Sequence, residues 1–367
     1  MVELKKVNLG DIITFKNGKK KPAEEGTIPI YGGNGILGYT DRSNYKNCIA
    51  VGRVGAYCGS VYYEPGECWI SDNAIAATPK ADVDIYFAFY LLKSLNLNQR
   101  HIGTSQPLLT QEILNKIECQ IPDLDIQKKI SNILRTVDGK VECNTAINRN
   151  LSEQAFAIFE EEYQSFSTAK IGELPIVVKD YVANGSFKSL KDNVTILEEK
   201  EYAYFIRNVD LKAKTFPRFV NQHSYEFLRK SRLEGGEVII SNVGDVGSVF
   251  LCPVLDGPMT LGNNMIMLNT EKHNSYLYLY FKSHIGQGMI AGITGGSAQP
   301  KFNKTDFKSL EIKYPNDDQV EAFNRKVKNL LDMIEKNDQE NKKLEELRDR
   351  LLPKLMSGEL DVSELEI

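Results

Sequence analysis

Two kinds of hydrophobic spacing alternate along this chain. In residues 1–121 apolar side chains come in short β-rich runs, Ile28–Tyr31, Cys48–Val51, Ser60–Tyr63 and Cys68–Ile70, broken by Gly, Asn and Pro. One helix-like stretch follows at Ile85–Ser94. Residues 166–314 repeat this order in Tyr202–Ile206, Glu237–Ser241, Ser248–Cys252 and Asn264–Leu268, with a helix-like stretch at Ser275–Ser283. After Pro122 the period lengthens. Apolar positions fall at Ile126, Ile130, Ile133, Val137, Ile147, Leu151 and Ile158, mostly in steps of four and three, the spacing of a coiled-coil seam. After Pro315 a second seam runs through Val320, Phe323, Val327, Leu330, Ile334, Leu344, Leu351 and Leu355, with Arg348 among them. Both seams turn polar midway, at Lys140 and Asn144 in the first and at Asn337 and Asn341 in the second. Matching length, position after Pro and polar centres predict that segments 122–165 and 315–367 pack as an antiparallel pair. Polar seam residues commonly fix register at some cost in stability.

The two strand-rich segments are also alike in detail. Gly103-Thr104-Ser105-Gln106-Pro107 returns as Gly296-Ser297-Ala298-Gln299-Pro300. Arg53-Val54-Gly55, then Gly59-Ser60-Val61, is echoed by Asn242-Val243-Gly244, then Gly247-Ser248-Val249. The order is kept and the spacing drifts by a few residues. A unit this long is a duplicated domain with its helix rather than a solenoid repeat. The expected fold is α+β: two similar strand-rich domains, 1–121 and 166–314, separated by a two-helix coiled-coil spacer, with internal pseudo-two-fold duplication.

Charge refines this picture. The formal net charge is −4, but residues 150–173 and 359–367 each contribute −4, leaving +4 on the remainder. Local basic clusters matter more than the total, because phosphate attraction acts over about a Debye length. No apolar run approaches the roughly 18 residues of a membrane span, and the first residues lack a signal-peptide stretch, so a cytoplasmic protein is expected. The six cysteines show no metal-ligand spacing with the four histidines and are expected to be reduced, with no metal bound.

Gly33-Asn34-Gly35-Ile36-Leu37-Gly38 satisfies G-x-G-x-x-G, but turn chemistry follows where a dinucleotide fold starts a helix, so a surface loop is expected. No H-E-x-x-H, G-x-S-x-G or Asn-Pro-Pro-aromatic element occurs, and no carboxylates pair as acid and base. A non-catalytic protein is expected. Lys19, Lys20 and Lys21 surround a turn and are candidates for phosphate contact. Arg and Asn have planar groups that bond guanine and adenine edges. The candidate DNA contacts are therefore Asn34, Arg42, Arg53, Tyr57, Asn73 and Gln106 in the first domain, joined by Arg207, Asn208, Arg218, Asn242, Asn264, Gln299 and Lys301 in the second.

These features resemble the specificity (S) subunit of Type I restriction–modification systems over essentially the whole length. Ile28 to Gly38 and Val51-Gly52-Arg53-Val54-Gly55 resemble segments of one class of target-recognition domain. Ser105-Gln106-Pro107, then Ile121-Pro122 and a helix, resembles the passage into the spacer helix. Leu351-Leu352-Pro353-Lys354-Leu355-Met356-Ser357-Gly358-Glu359-Leu360 resembles the C-terminal ending. The second domain departs more, being longer and without the Gly-Asn-Gly loop. The resemblance implies a reader of a bipartite double-stranded DNA target that works with two modification subunits and with restriction subunits. It implies no cofactor of its own, S-adenosylmethionine and ATP belonging to those partners. For coil and partner contacts the expected residues are Ile133, Val137, Asn144, Leu151, Phe159, Leu330, Ile334, Asn337, Asn341, Leu344 and Leu351. Leu134, Val141, Phe156, Phe159, Leu331 and Leu347 lie off or beside the seams; they either tuck under the globular units or, as expected here, are exposed for docking modification subunits.

Overall fold

The computed structural model describes residues 3–103 and 107–365. It divides into two compact units, Met1–Thr145 with Asp338–Ile367 (unit 1) and Ala146–Asn337 (unit 2). The division cuts both long helices at their polar centres rather than where strands give way to helix.

Unit 1 contains strands β1 (Lys5–Asn8), β2 (Ile13–Asn17), β3 (Ile28–Gly32), β4 (Gly35–Thr40), β5 (Tyr45–Gly52), β6 (Val61–Ile70), β7 (Ala74–Pro79) and β8 (Glu118–Ile121). Six of them form one sheet, β2-β7-β5-β6-β3-β4, antiparallel except for β3 beside β6. Strands β1 and β8 pair separately. Helix Ile85–Ser94 covers the sheet with buried Phe87, Ala88, Leu91 and Leu92. Its cap, Asp84, accepts from Phe87 N at 2.9 Å and from Ser131 Oγ of the long helix at 2.6 Å, so one carboxylate joins two helices. Ile126, Ile130, Leu134 and Leu355 complete this core.

Unit 2 contains β9 (Ser167–Lys170), β10 (Val177–Asp180), β11 (Ile196–Leu197), β12 (Ala203–Ile206), β13 (Phe219–Val220), β14 (Arg232–Leu233), β15 (Val238–Ser241), β16 (Val249–Leu251), β17 (Met259–Leu261), β18 (Met265–Asn269) and β19 (Glu311–Tyr314). The order β10-β18-β15-β16 reproduces β2-β7-β5-β6, and β9 with β19 reproduces β1 with β8. The rest forms a second sheet, β11-β13-β12-β17-β14, where β12 runs parallel to β17 as β3 does to β6. Aromatic side chains dominate the core. Phe159 from the first long helix packs on Tyr163, Tyr276 and Tyr280, with ring centroids 5.2–5.8 Å apart.

The long helices are Leu124–Glu162 and Asp317–Met356. Asp123 accepts from Ile126 N at the start of the first; Asn316 and Gln319 cap the second reciprocally, both bonds 2.9 Å. Within unit 1, Asn144 is 1% exposed and donates to Asn341 Oδ1 at 2.9 Å and Glu340 at 2.8 Å. Arg348 reaches Asp138 at 3.0 Å, and Asp138 also takes the Tyr90 hydroxyl at 2.6 Å. Within unit 2, Asn337 donates to Asn148 Oδ1 at 2.8 Å, Asn148 donates to Ile334 O at 3.2 Å, and farther along Lys326 pairs with Glu162. As one partner number rises the other falls, so the helices run antiparallel in each unit. Leu151 is buried, and Ile133, Val137, Leu330, Ile334, Leu344 and Leu351 are half-buried along the two helices.

Three expectations for these helices are corrected. Ile147 is 39% exposed, and Asn148 faces the partner helix instead. One residue turns the helix by about 100°, enough to carry Ile147 out of the seam. Leu134 and Phe159 are fully buried in the cores of units 1 and 2, so neither is a docking residue. Phe156 and Leu331 are half-buried against the unit 2 core; Val141 is half-buried, and Leu347 stays 40% exposed.

Candidate nucleic-acid interface

The same backbone clasp is built in each unit. In unit 1 it follows β5: Arg53 N donates to Asn73 O at 3.0 Å, and Arg53 O accepts from Leu109 N at 2.9 Å. Gly55 N donates to Pro107 O at 3.1 Å. In unit 2, following β15, Asn242 N donates to Asn264 O at 3.0 Å and Asn242 O accepts from Phe302 N at 3.1 Å, while Gly244 N donates to Pro300 O at 2.9 Å. The glycines of the repeated motif are needed here. Gly55 and Gly244 have φ +76 and +78, and Gly59 and Gly247 have φ +88 and +92, a region that side chains avoid. Arg53 and Asn242 thus hold equivalent places at the end of the central strand.

Around Arg53 the unit 1 loops converge. A Cβ on Gly33 would lie 3.5 Å from Val54 O, 3.7 Å from Asn73 O and 3.9 Å from Tyr57 Cβ. The Gly33-Asn34 turn is held there by Ser60 Oγ, which donates to Gly33 O. Lys19 bridges to Ser71, beside Asp72 and Asn73, and Lys21 Nζ comes within 3.3 Å of where a Gly38 Cβ would sit. The structure therefore gathers Lys19, Asn34, Arg53, Tyr57 and Asn73 at one end of the sheet, while Lys21 lies against Gly38 of β4. Tyr57 is 54% exposed, and the lysines, Asn34 and Asn73 are exposed. Arg53 is half-buried: Nε has no partner, and Nη1 makes only a 3.5 Å contact with Asp72 O. Arg42 stands apart, paired to Glu24 at 2.7 Å. Gln106 lies outside the described residues.

Unit 2 gathers different chemistry at the same place. Asp245, one residue past Gly244, accepts on Oδ2 from Asn208 at 2.9 Å, Lys212 at 2.7 Å and Ser248 at 2.6 Å. These hydrogen bonds hold its carboxyl down at about 2. Its Oδ1 has no partner among the described residues. Arg207 is clamped by Asp210 through two bonds, 2.8 and 2.6 Å, and Arg218 pairs with Glu198 at 2.5 Å, so neither guanidinium is free. Asn242 donates its amide to Phe302 O at 3.2 Å, while its buried Oδ1 is unpartnered. Asn264 serves the backbone, turning the chain at φ +64. Gln299 and Lys301 are exposed, with the Lys301 backbone bonded reciprocally to Gly295 at 2.9 Å.

Sequence reasoning missed Asp245. Its position was legible, since the repeat aligns it with Ala56, but an acid was not sought among candidate contacts for DNA. Among the described residues no helix is long and apolar enough to cross a membrane.

A family model described as Type I restriction modification DNA specificity domain matches residues 1–153 and 219–348. The Type I restriction enzyme EcoprrI specificity subunit of Escherichia coli is 30% identical over 148 residues, 40% of this chain and 37% of that protein. The HindI specificity subunit of Haemophilus influenzae is 23% identical, covering 79% of this chain and 81% of its own. The putative MjaX specificity subunit of Methanocaldococcus jannaschii is also 23% identical, over 77% of this chain and 70% of its own. The crystal structure of a Type I restriction–modification S subunit from M. genitalium has the same fold, with TM-score 0.63 and 19% identity over 97% of this chain and 96% of that one.

Proposed function

This chain belongs to the Type I restriction–modification DNA specificity family, and from that premise we propose that its two units read the two halves of a bipartite duplex target. The observation that carries this reading is the recurrence of one backbone clasp, at β5 and at β15, with different side chains mounted on it. Conserved geometry with changed chemistry is what two readers of different base sequences require. In unit 1 the lysines neutralise phosphates, and the Arg53 guanidinium bonds the acceptor edge of guanine. In unit 2 the free Oδ1 of Asp245 accepts from an exocyclic amino group, that of adenine or cytosine. The long helices set the distance between half-sites.

Methyl transfer and cleavage fall to separate modification and restriction subunits, which bind S-adenosylmethionine and ATP. This chain contributes recognition and spacing. Two modification subunits per chain match the internal duplication.

Methylated sites mapped in cells with and without the gene test the reading directly. A two-part motif with a fixed gap should vanish on deletion. Excising one heptad from each long helix, about 10 Å of rise, should shorten the gap while both half-sites keep their bases. An unchanged gap with altered half-site bases would refute the ruler.

A further inference from the structure

The segment joining the first two matching strands differs most between the units. In unit 1 it is the lysine loop between β2 and β3. In unit 2 residues 181–202, between β10 and β12, take its place and include helix Phe187–Asn193. Phe187, the first residue of that helix, is 82% exposed, more than any other large hydrophobic among the described residues. Its surroundings are well tied down. Ser186 Oγ accepts from Ser189 N at 3.2 Å, and Leu190 is buried. Asn184 donates to Ser231 Oγ at 2.7 Å and accepts from Lys230 N at 2.9 Å, fixing this segment to the turn 229–231.

Three exposed cations lie on these tethered segments: Lys188, next to Phe187 in sequence, and Arg229 and Lys230 on the turn fixed to Asn184. None of the three has an ion pair among the described residues. The patch also shares an end of the second sheet with the clasp. Ser231 Oγ lies 3.4 Å from Thr260 Oγ1, and the neighbouring Leu261 pairs with Ile206, the residue before Arg207.

Building on the DNA reading above, we propose that Phe187, Lys188, Arg229 and Lys230 form a second contact with the duplex, beside the unit 2 half-site. The three cations bind successive phosphates, and the Phe187 ring wedges against a base step in the minor groove. A protein-docking face would show contiguous apolar area with charge confined to its rim. Here the exposed apolar groups of the segment, Phe187 foremost and Val182 at 43%, share it with three cations that have no ion pair among the described residues, and those charges repel one another until an anion lies between them.

The test uses the full chain, assembled with its partner subunits, and duplexes carrying 2-aminopurine in the steps flanking the unit 2 half-site. The wild type should raise the probe's fluorescence by unstacking it. Phe187→Ala should remove that rise and leave the half-site bases unchanged. Arg229→Ala with Lys230→Ala should weaken binding and lower the slope of log affinity against log salt by about two. Thermal midpoints should not move, because all three side chains are exposed. Unchanged fluorescence, affinity and slope in variants of a binding-competent complex would overturn the clamp. So would loss of a partner subunit, by mass, with DNA contact intact. A wild-type complex that binds no duplex would overturn the DNA reading itself, and the clamp with it.

Discussion

Units 1 and 2 share a strand order and a clasp, yet one keeps a single sheet and the other splits it. The difference traces to a few residues. Strand β6 runs ten residues, through Pro65-Gly66, and absorbs them in a register shift opposite Lys46 and Cys48. At the matching place unit 2 has Cys252-Pro253-Val254-Leu255-Asp256-Gly257-Pro258 between β16 and β17. Two prolines without N–H groups cannot extend a ladder, so the strand breaks and its halves join different sheets. The second sheet then has room for the insertions that carry Arg218, Phe187 and the turn 229–231. A core shared by the two units thus tolerates divergence at its sheet end.

The largest expected effect tests whether the units are stabilised separately. Phe159→Ala removes a buried ring among Tyr163, Tyr276 and Tyr280 and should cost unit 2 about 3–5 kcal/mol. Hydrogen exchange should quicken across Tyr276–Phe281, while Trp69, the chain's only tryptophan, reports an unchanged unit 1. Equal loss in both units would show that they unfold as one.

Next come the paired readers. Arg53→Ala should relax one base position of one half-site by about 1–3 kcal/mol. Asp245→Asn should alter the other half-site by a similar amount. Selection from randomised duplexes reads both, and a variant that shifts both half-sites would break the assignment of one unit to each.

Lys19→Ala, Lys20→Ala or Lys21→Ala should act more weakly. Each should reduce affinity for all sequences alike and lower the salt slope by about one. Binding titrations from low to moderate salt measure it; a sequence-dependent loss would move that lysine from the backbone to a base.

The smallest effect is a pH dependence confined to unit 2. His273 is buried, stacked on Tyr314 at 4.4 Å, with Nε2 3.0 Å from Pro315 O. Burial lowers its pKa below the ordinary value of 6.5. The unfolded chain then binds the proton more readily, so the stability His273 contributes is full above about 6.5 and declines as pH falls through the lowered folded value. Unfolding midpoints taken as pH falls below about 6.5 should drop more steeply in the wild type than in His273→Gln.

Much of this molecule was written along the chain. Period and repeat determined the strand-rich segments, the helix Ile85–Ser94 and the two long helices, because each depends on residues near in sequence: alternation, steps of three and four, a cap such as Asn316, a glycine forced to positive φ. Polar centres at Asn144 and Asn341 even announced their own pairing. Tertiary structure decided what distance in sequence conceals. It placed Asn148 rather than Ile147 in the seam, sank Leu134 and Phe159 into cores, and matched Arg207 and Arg218 to their acids. It also set Asp245 in the clasp position of unit 2, beside Asn208 and Lys212. Whether a charged side chain is free to meet DNA depends on which partner the fold carries to within about 3 Å of it. Composition and periodicity say nothing of that, since a hydrogen bond is set by orientation and distance in space.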